Sequence, residues 1–223
     1  MKKSILFIFT ACFLFTTSCS DFLDEEHKTK YSSEYVFGTP EGLKLAVNAL
    51  YALQRYYAND TENATIFALE RGTDLAVTNG GTGNFYGIYD PNYLKPSASQ
   101  VGFMWRTMYQ IIGKANEIIA AAEDLEDTPS LRATVSEAKC FRAQSYFLLY
   151  RTFDRIWLNI QPTTAENVND PRDFHAASEK EVFDLIYEDL EYAITNLDWV
   201  SDEAGRFTQA AARHMKAKAA LWL

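Results

Sequence analysis

Between Thr78 and Tyr93 the chain reads TNGGTGNFYGIYDPNY, a stretch in which glycines, asparagines and aromatic rings follow one another too closely for a regular helix. Two chemistries use such residues. A phosphate cradle needs Gly-x-Gly-x-x-Gly between a strand and a helix. Here Gly81 and Gly83 are followed by Tyr86 where the third glycine belongs, Gly87 comes one residue late, and no Walker-type lysine follows. The nucleotide reading is set aside. A carbohydrate surface needs flat rings for the apolar face of a pyranose, with amide or carboxylate groups for its hydroxyls. Phe85, Tyr86, Tyr89 and Tyr93 supply rings, and Asp74, Asn79, Asn84 and Asn92 supply polar groups. Glycines allow the positive-φ turns of a shallow platform. The same rings would serve to pin a long loop against helices, and both readings stay open at this level.

Other combinations carry less. Glu70 and Asp74 could be imagined as the acid and base of a glycosidase, but that chemistry needs carboxyl groups facing each other across a cleft, and two on one local segment rarely do so. His27, His175 and His214 are far apart and lack zinc-ligand spacing, so no metal site is expected, and no cofactor. Cys140 lies between Ala138 and Phe141 on an apolar helix face and reads as a small buried hydrophobe. Trp105, Tyr109, Trp157, Trp199 and Trp222 are further rings, and those at helical spacing read as core. Without an activated nucleophile or a tuned acid–base pair, an enzyme is not expected.

The chain opens with an address. Lys2 and Lys3 precede the apolar run Ile5 to Phe15, then Thr16-Thr17-Ser18-Cys19, the order of a secretory signal peptide. The run is too short to span a bilayer comfortably. A cysteine directly after Thr-Thr-Ser resembles the bacterial lipobox, with Thr16 in place of the usual leucine. Residues 1–18 then read as a lipoprotein signal and Cys19 as the lipidated first residue of the mature chain. Acylation would anchor an otherwise soluble body. Loss of Lys2 and Lys3 leaves that body two charges more negative than the −9 of the whole chain, which excludes nucleic acid and anionic headgroups as natural partners. With Cys19 lipidated and only Cys140 left, no disulfide framework is possible. Residues 19–38 read as an acidic tether.

From Pro40 the periodicity is helical. Thr39 and Pro40 open a helix to about Tyr57. A second, about Gly102 to Leu125, carries the stripe Trp105, Met108, Ile111-Ile112, Ala115 and Ile118-Ile119. A third runs from Pro129 to about Asp154 behind the cap Thr128, with Val135, Ala138, Phe141-Arg142, Ser145-Tyr146 and Leu149 on its stripe. Ser178 and Glu181 form a capping box ahead of Val182, Leu185-Ile186, Asp189-Leu190 and Ala193. A fifth, alanine-rich helix starts at about Thr208. Helices without intervening strands pack as antiparallel hairpins. Laying Arg142-Ala143 over Lys216-Ala217 matches Ala138 with Ala212, Tyr146 with Ala220 and Phe147 with Leu221, a degenerate repeat signal.

Several stretches carry a family resemblance: CSDFLDEE, EGLKLAVNALYALQ, ERGTD, WRTMYQIIGKANEII, SEAKCFRAQSYFLLYRTFD, SEKEVFDLIYEDLEYAI and RFTQAAARHMKAKAALWL. In this order the chain resembles the SusD/RagB outer-membrane lipoproteins of Bacteroidetes. The resemblance implies an all-α fold of tetratricopeptide-like helical hairpins with long irregular loops. It also implies that the protein captures glycans or oligosaccharides at the cell surface and hands them to a TonB-dependent, SusC-like transporter. The acidic residues Asp21, Asp24, Glu25 and Glu26 resemble the signal that sends such lipoproteins to the outer face of the outer membrane. Family members continue beyond the segment that resembles AAARHMKAKAALWL, so residues 39–223 are expected to be an N-terminal helical-repeat domain, incomplete at its C-terminus. A second reading, from another class, is a helical-repeat scaffold for protein partners with no sugar site of its own.

Overall fold

Threonine and serine caps set the boundaries of the helices. In a computed structural model the described residues are 31–59, 99–153, 155–164, 166–171 and 174–223, and the chain divides into two compact units, Met1–Ser33 and Glu34–Leu223. The helices are α1 Ser33–Gly38, α2 Pro40–Asn59, α3 Ser99–Ala122, α4 Pro129–Thr152, α5 Glu179–Asn196 and α6 Gln209–Ala220. Four begin behind a hydroxyl that accepts from the first turn. Thr39 accepts from Gly42 N at 3.0 Å, Thr128 from Leu131 N at 3.1 Å, Ser178 from Glu181 N at 3.3 Å and Thr208 from Ala211 N at 3.2 Å. Each cap satisfies one of the backbone donors a helix start leaves free. At Ser178 the Glu181 carboxylate returns the favour, accepting from Ser178 N at 2.8 Å to close the capping box.

Among the described residues every regular element is a helix, as the periodicity predicts, and from α3 to α6 successive helices run antiparallel. Cross-helix pairs fix the directions. Trp105 meets Phe153 just beyond the end of α4 while Asn116 meets Arg142. Phe147 meets Phe183 while Lys139 meets Asp189, and Gln209 reaches Ile194 while Lys216 pairs with Glu191. In each pair one number rises as the other falls. α4 lies at the centre, packed against α2, α3, α5 and α6. Its residues Ala138, Phe141, Tyr146 and Leu149 are buried with Leu43, Val47 and Leu50 of α2, Met108 and Ile111 of α3, and Ile186 and Leu190 of α5. Cys140 is buried in this core, and burial pushes its thiol pKa up, which fits the small hydrophobe expected there.

Three details differ from the sequence reading. α3 spans Ser99–Ala122 rather than extending to Leu125. Beyond it lie Glu123, Asp124, Glu126 and Asp127, and carboxylates are disfavoured at the negative end of a helix dipole. The proposed repeat holds at Ala138 and Ala212, both buried, but Ala217 and Ala220 of α6 are exposed where Ala143 and Tyr146 of α4 are buried. α4 is covered on several sides, whereas α6 has its main packing partner in α5. Finally, α1 occupies the end of the segment read as tether. Its backbone crosses α2 so closely that a Cβ on Gly42 would stand 2.2 Å from the Tyr35 carbonyl oxygen and 2.6 Å from Val36 Cα. The same joint is held by Thr39, whose hydroxyl donates to Tyr35 O at 2.8 Å.

A Gly42→Ala exchange tests that crossing. Helix propensity alone would favour alanine by about 1 kcal/mol, but the added methyl meets backbone, and overpacking of this kind costs about 1–3 kcal/mol. Net destabilisation in a urea melt is the expected result; a stabilised variant would show that α1 does not pack here.

Candidate functional site

The residues singled out for sugar contact, Asp74, Asn79, Asn84, Phe85, Tyr86, Tyr89 and Tyr93, lie outside the described residues, as do Glu70, His27 and the lipidation candidate Cys19. The structure does describe the frame on either side of the segment that carries them. α2 ends at Asn59 and α3 starts at Ser99. Close to both ends, the Tyr57 and Phe103 rings stack at 6.2 Å and Tyr56 meets Phe103 edge-on at 5.7 Å. Tyr57 is 4% exposed, and its hydroxyl has no hydrogen-bond partner among the described residues. Burial pushes its pKa up to about 12.

A buried ionic joint sits at the middle of the frame. Asp189 of α5 is fully buried and accepts Arg142 Nε on Oδ2 at 2.7 Å and Arg142 Nη2 on Oδ1 at 2.8 Å. Lys139, one helical turn before Arg142, donates to the same Oδ1 at 2.8 Å. The paired geometry matches the planar guanidinium fork. The second cation is partly balanced because Lys139 Nζ also lies 5.2 Å above the Tyr192 ring. Arg142 uses a further donor on Asn116 Oδ1 at 2.8 Å, and Asn116 Nδ2 donates to Asn159 O at 2.7 Å. Side chains of α3, α4 and α5 are thereby tied to the backbone of the connection after α4.

That connection is clasped a second time. Tyr109 donates its hydroxyl to Trp157 O and accepts from Trp157 N, both at 2.9 Å. Tyr146 treats Asn159 in the same way, donating to O at 2.9 Å and accepting from N at 2.8 Å. The N–H and C=O of alternate residues thus face the helices, which is the two-residue period of an extended chain. Burial raises the pKa of both phenols, so each keeps the proton it donates. Ala177 N closes the other end of the connection on Ile156 O at 2.8 Å.

Aromatic rings continue outward from this clasp. Phe153 meets Trp105 at 5.0 Å, Trp105 meets Tyr109 at 4.8 Å, Tyr109 lies over Trp157 at 6.4 Å, and Trp157 meets Phe174 at 4.8 Å. Trp105, Tyr109 and Trp157 are half-buried, as rings with a packing role should be, whereas Phe174 is 70% exposed. Trp199 is also largely exposed, and Trp222 meets Phe147 edge-on beneath Arg151.

One pair of carboxyls has the opposed environments that acid–base chemistry uses. Burial raises the pKa of Glu137, while hydrogen bonds from Lys44 and Arg206 lower that of Glu203. Their arrangement is a clasp. Arg206 stands between them, Nη1 on Glu137 at 3.3 Å and Nε on Glu203 at 3.0 Å, and Tyr51 donates to Glu137 while accepting from Phe207 N at 2.7 Å. The guanidinium thus bridges the two carboxyls. His175 and His214 are both exposed and lie on separate segments.

Arg142, Asp189 and Lys139 were not singled out by sequence, although a signal existed. Arg142 and Asp189 fall on the apolar stripes of α4 and α5, and a charge at such a position needs a buried partner.

Comparison with known proteins fits this frame. Residues 21–221 match a family model, SusD-like, described as starch-binding and associating with the outer membrane. A SusD-like protein of Bacteroides ovatus is 28% identical over 231 residues, an alignment that takes in 98% of this chain and 39% of that relative. A solved laminarin-binding SusD-like protein superposes with a TM-score of 0.70 at 26% identity, covering 82% of this chain and 40% of that one. Another structure, solved with a xylogluco-oligosaccharide, has the same fold, with a TM-score of 0.64 at 24% identity, and covers 79% of this chain and 34% of its own. The chain therefore spans about two fifths of the length of the curated relatives it matches.

The ionic joint makes a direct prediction. Asp189→Ala leaves two buried cations uncompensated, and the expected loss of unfolding free energy is about 3–5 kcal/mol. Urea denaturation followed by tryptophan fluorescence measures it; a loss below about 1 kcal/mol, the worth of a surface pair, would contradict the burial described.

Proposed function

The chain belongs to the SusD-like family, and from that premise we propose that it binds oligosaccharides at the cell surface and delivers them to a TonB-dependent, SusC-like transporter without catalysing their cleavage. The observation that carries the reading is the family match over 21–221, together with the laminarin-binding relative that shares this fold at 26% identity. The frame suits the task in physical terms. A helical frame locked by the buried Arg142–Asp189–Lys139 joint can hold the segment between α2 and α3 with little motion at its anchor points. The loop between α2 and α3 carries the rings and amides a pyranose needs: Phe85, Tyr86, Tyr89 and Tyr93 for its apolar face, and Asp74, Asn79 and Asn84 for its hydroxyls.

Binding rather than hydrolysis is the reading because the described carboxyls with shifted pKa values are already engaged. Glu137 accepts from Tyr51 and Arg206, and Glu203 from Lys44 and Arg206. Membrane attachment rests on the lipobox-like Thr16-Thr17-Ser18-Cys19, with lipid on Cys19 and the outer membrane as the anchor. A scaffold for protein partners is the alternative, and the exposed Trp199–Val200 tip between α5 and α6 favours it. The aromatic loop gives glycan capture the stronger support.

Two experiments test the proposal. Titration of the chain with laminarin oligosaccharides should show binding that Tyr86→Ala and Tyr89→Ala each weaken by about 1 kcal/mol, the worth of one lost aromatic contact. Unchanged affinity in both variants would assign those rings to loop packing. In cells, Cys19→Ala should abolish incorporation of labelled fatty acid and release the protein from membranes; labelling that persists would overturn the anchor.

A further inference from the structure

We propose that Trp157, Asn159 and Phe174, which lie outside residues 60–98 in sequence, form a carbohydrate-contact surface that takes a pyranose ring of a neutral glycan. The inference rests on the glycan-binding reading and adds to it a second place of contact.

The surface follows from how the connection after α4 is held. Tyr109 and Tyr146 fix the backbone of residues 157 and 159 from the helix side. On an extended chain, residues two apart project from the same face, about 7 Å from each other. The Trp157 and Asn159 side chains therefore leave the same face of a backbone that is clasped at both residues. Phe174 joins them from the second half of the connection, its ring 4.8 Å from the indole and tilted by 56°. Behind the indole, Tyr109 and Trp105 back it from α3. The result is a row of rings that runs from the half-buried Trp157 to the exposed Phe174.

Exposure separates Phe174 from a packing residue. Phe153 and Trp105, at the inner end of the same aromatic row, are half-buried, whereas Phe174 leaves 70% of its surface in water. Its ring is not needed to hold the chain, because Ala177 N already closes the connection on Ile156 O at 2.8 Å. An exposed phenyl leaves most of its apolar area unburied by the fold. A ligand with an apolar face covers it.

The polar side fits the same ligand. The Asn159 carboxamide makes no hydrogen bond among the described residues, although its neighbours' amides are in use: both ends of Asn116 are bonded, to Arg142 and to Asn159 O, and both ends of Asn167, to Thr164 N and to Pro162 O. A carboxamide offers two donors and an acceptor with no charge, which suits sugar hydroxyls that both give and take hydrogen bonds. Nucleobases also stack on such rings, but a chain of net charge −9 repels their phosphates.

The test is a titration of the full chain with laminarihexaose and with a xyloglucan oligosaccharide, read by heat and by tryptophan fluorescence. Phe174→Ala should lower affinity five-fold or more and reduce the fluorescence change, Asn159→Ala should lower it about three-fold, and Phe174→Tyr should restore it. Thermal melts of the variants should match the parent, since neither side chain holds the core. If the parent binds and Tyr86→Ala weakens it, yet Phe174→Ala and Asn159→Ala bind as tightly as the parent, the second surface is wrong while glycan capture stands. Absence of binding by the parent to either oligosaccharide would overturn both.

Discussion

Asp189 is the constraint on which the rest of the structure depends. A carboxylate with no access to water must be neutralised where it sits, and the side chains that do so, Arg142 and Lys139, come from one neighbouring helix. Because the guanidinium meets the carboxylate through two parallel bonds, α4 and α5 can slide or rotate past one another only by breaking both. Apolar contacts would permit a family of nearby packings; the fork permits one. A further Arg142 donor extends the constraint through Asn116 to the third helix and to the backbone at Asn159. A joint of this kind adds little net stability, since desolvation offsets most of its Coulomb energy. Its contribution is register, and every surface carried by the hairpins inherits that register.

The connection after α4 shows what the register is for. Irregular backbone needs partners for its N–H and C=O groups, and here two phenols, each acting as donor and acceptor at once, supply them from α3 and α4. Burial keeps those phenols protonated, so the clasp does not titrate at ordinary pH. α3 starts at the same end of the frame, since Trp105, which meets Phe153, lies only about 9 Å along α3 from Ser99 by helical rise. Aromatic residues thus gather at the end of the hairpins where the connections emerge, and the ionic joint lies at their middle.

Much of this frame was legible in the sequence. The hydroxyls of Thr39, Thr128, Ser178 and Thr208 mark helix starts because the first-turn N–H groups need an acceptor, a local requirement that a single chain displays. The stripes of α3, α4 and α5 were legible for a similar reason, and the burial of Cys140 followed from its place on one of them. Long-range pairing was not. Asp189 and Arg142 stood on apolar stripes, which announced that they were buried, but nothing local joins residues that far apart. The Tyr109 and Tyr146 clasps were hidden because each phenol bonds backbone, which has no sequence signature. α1 was missed because six residues are too few to display a period. The glycan-loop residues Asp74 to Tyr93 were legible as chemistry and lie outside the described residues, so their part in binding stands as a proposal.

The central claim is that a rigid helical frame presents sugar-contacting connections at its end. Amide hydrogen exchange of the whole chain, with and without laminarin oligosaccharides, tests it most directly. The account predicts slow exchange in α4 and α5 around Arg142 and Asp189 in both states, with ligand-induced slowing confined to the connections between α2 and α3 and between α4 and α5. Slowing confined to the Trp199–Val200 tip or to α6, or exchange of α5 independent of α4, would contradict it.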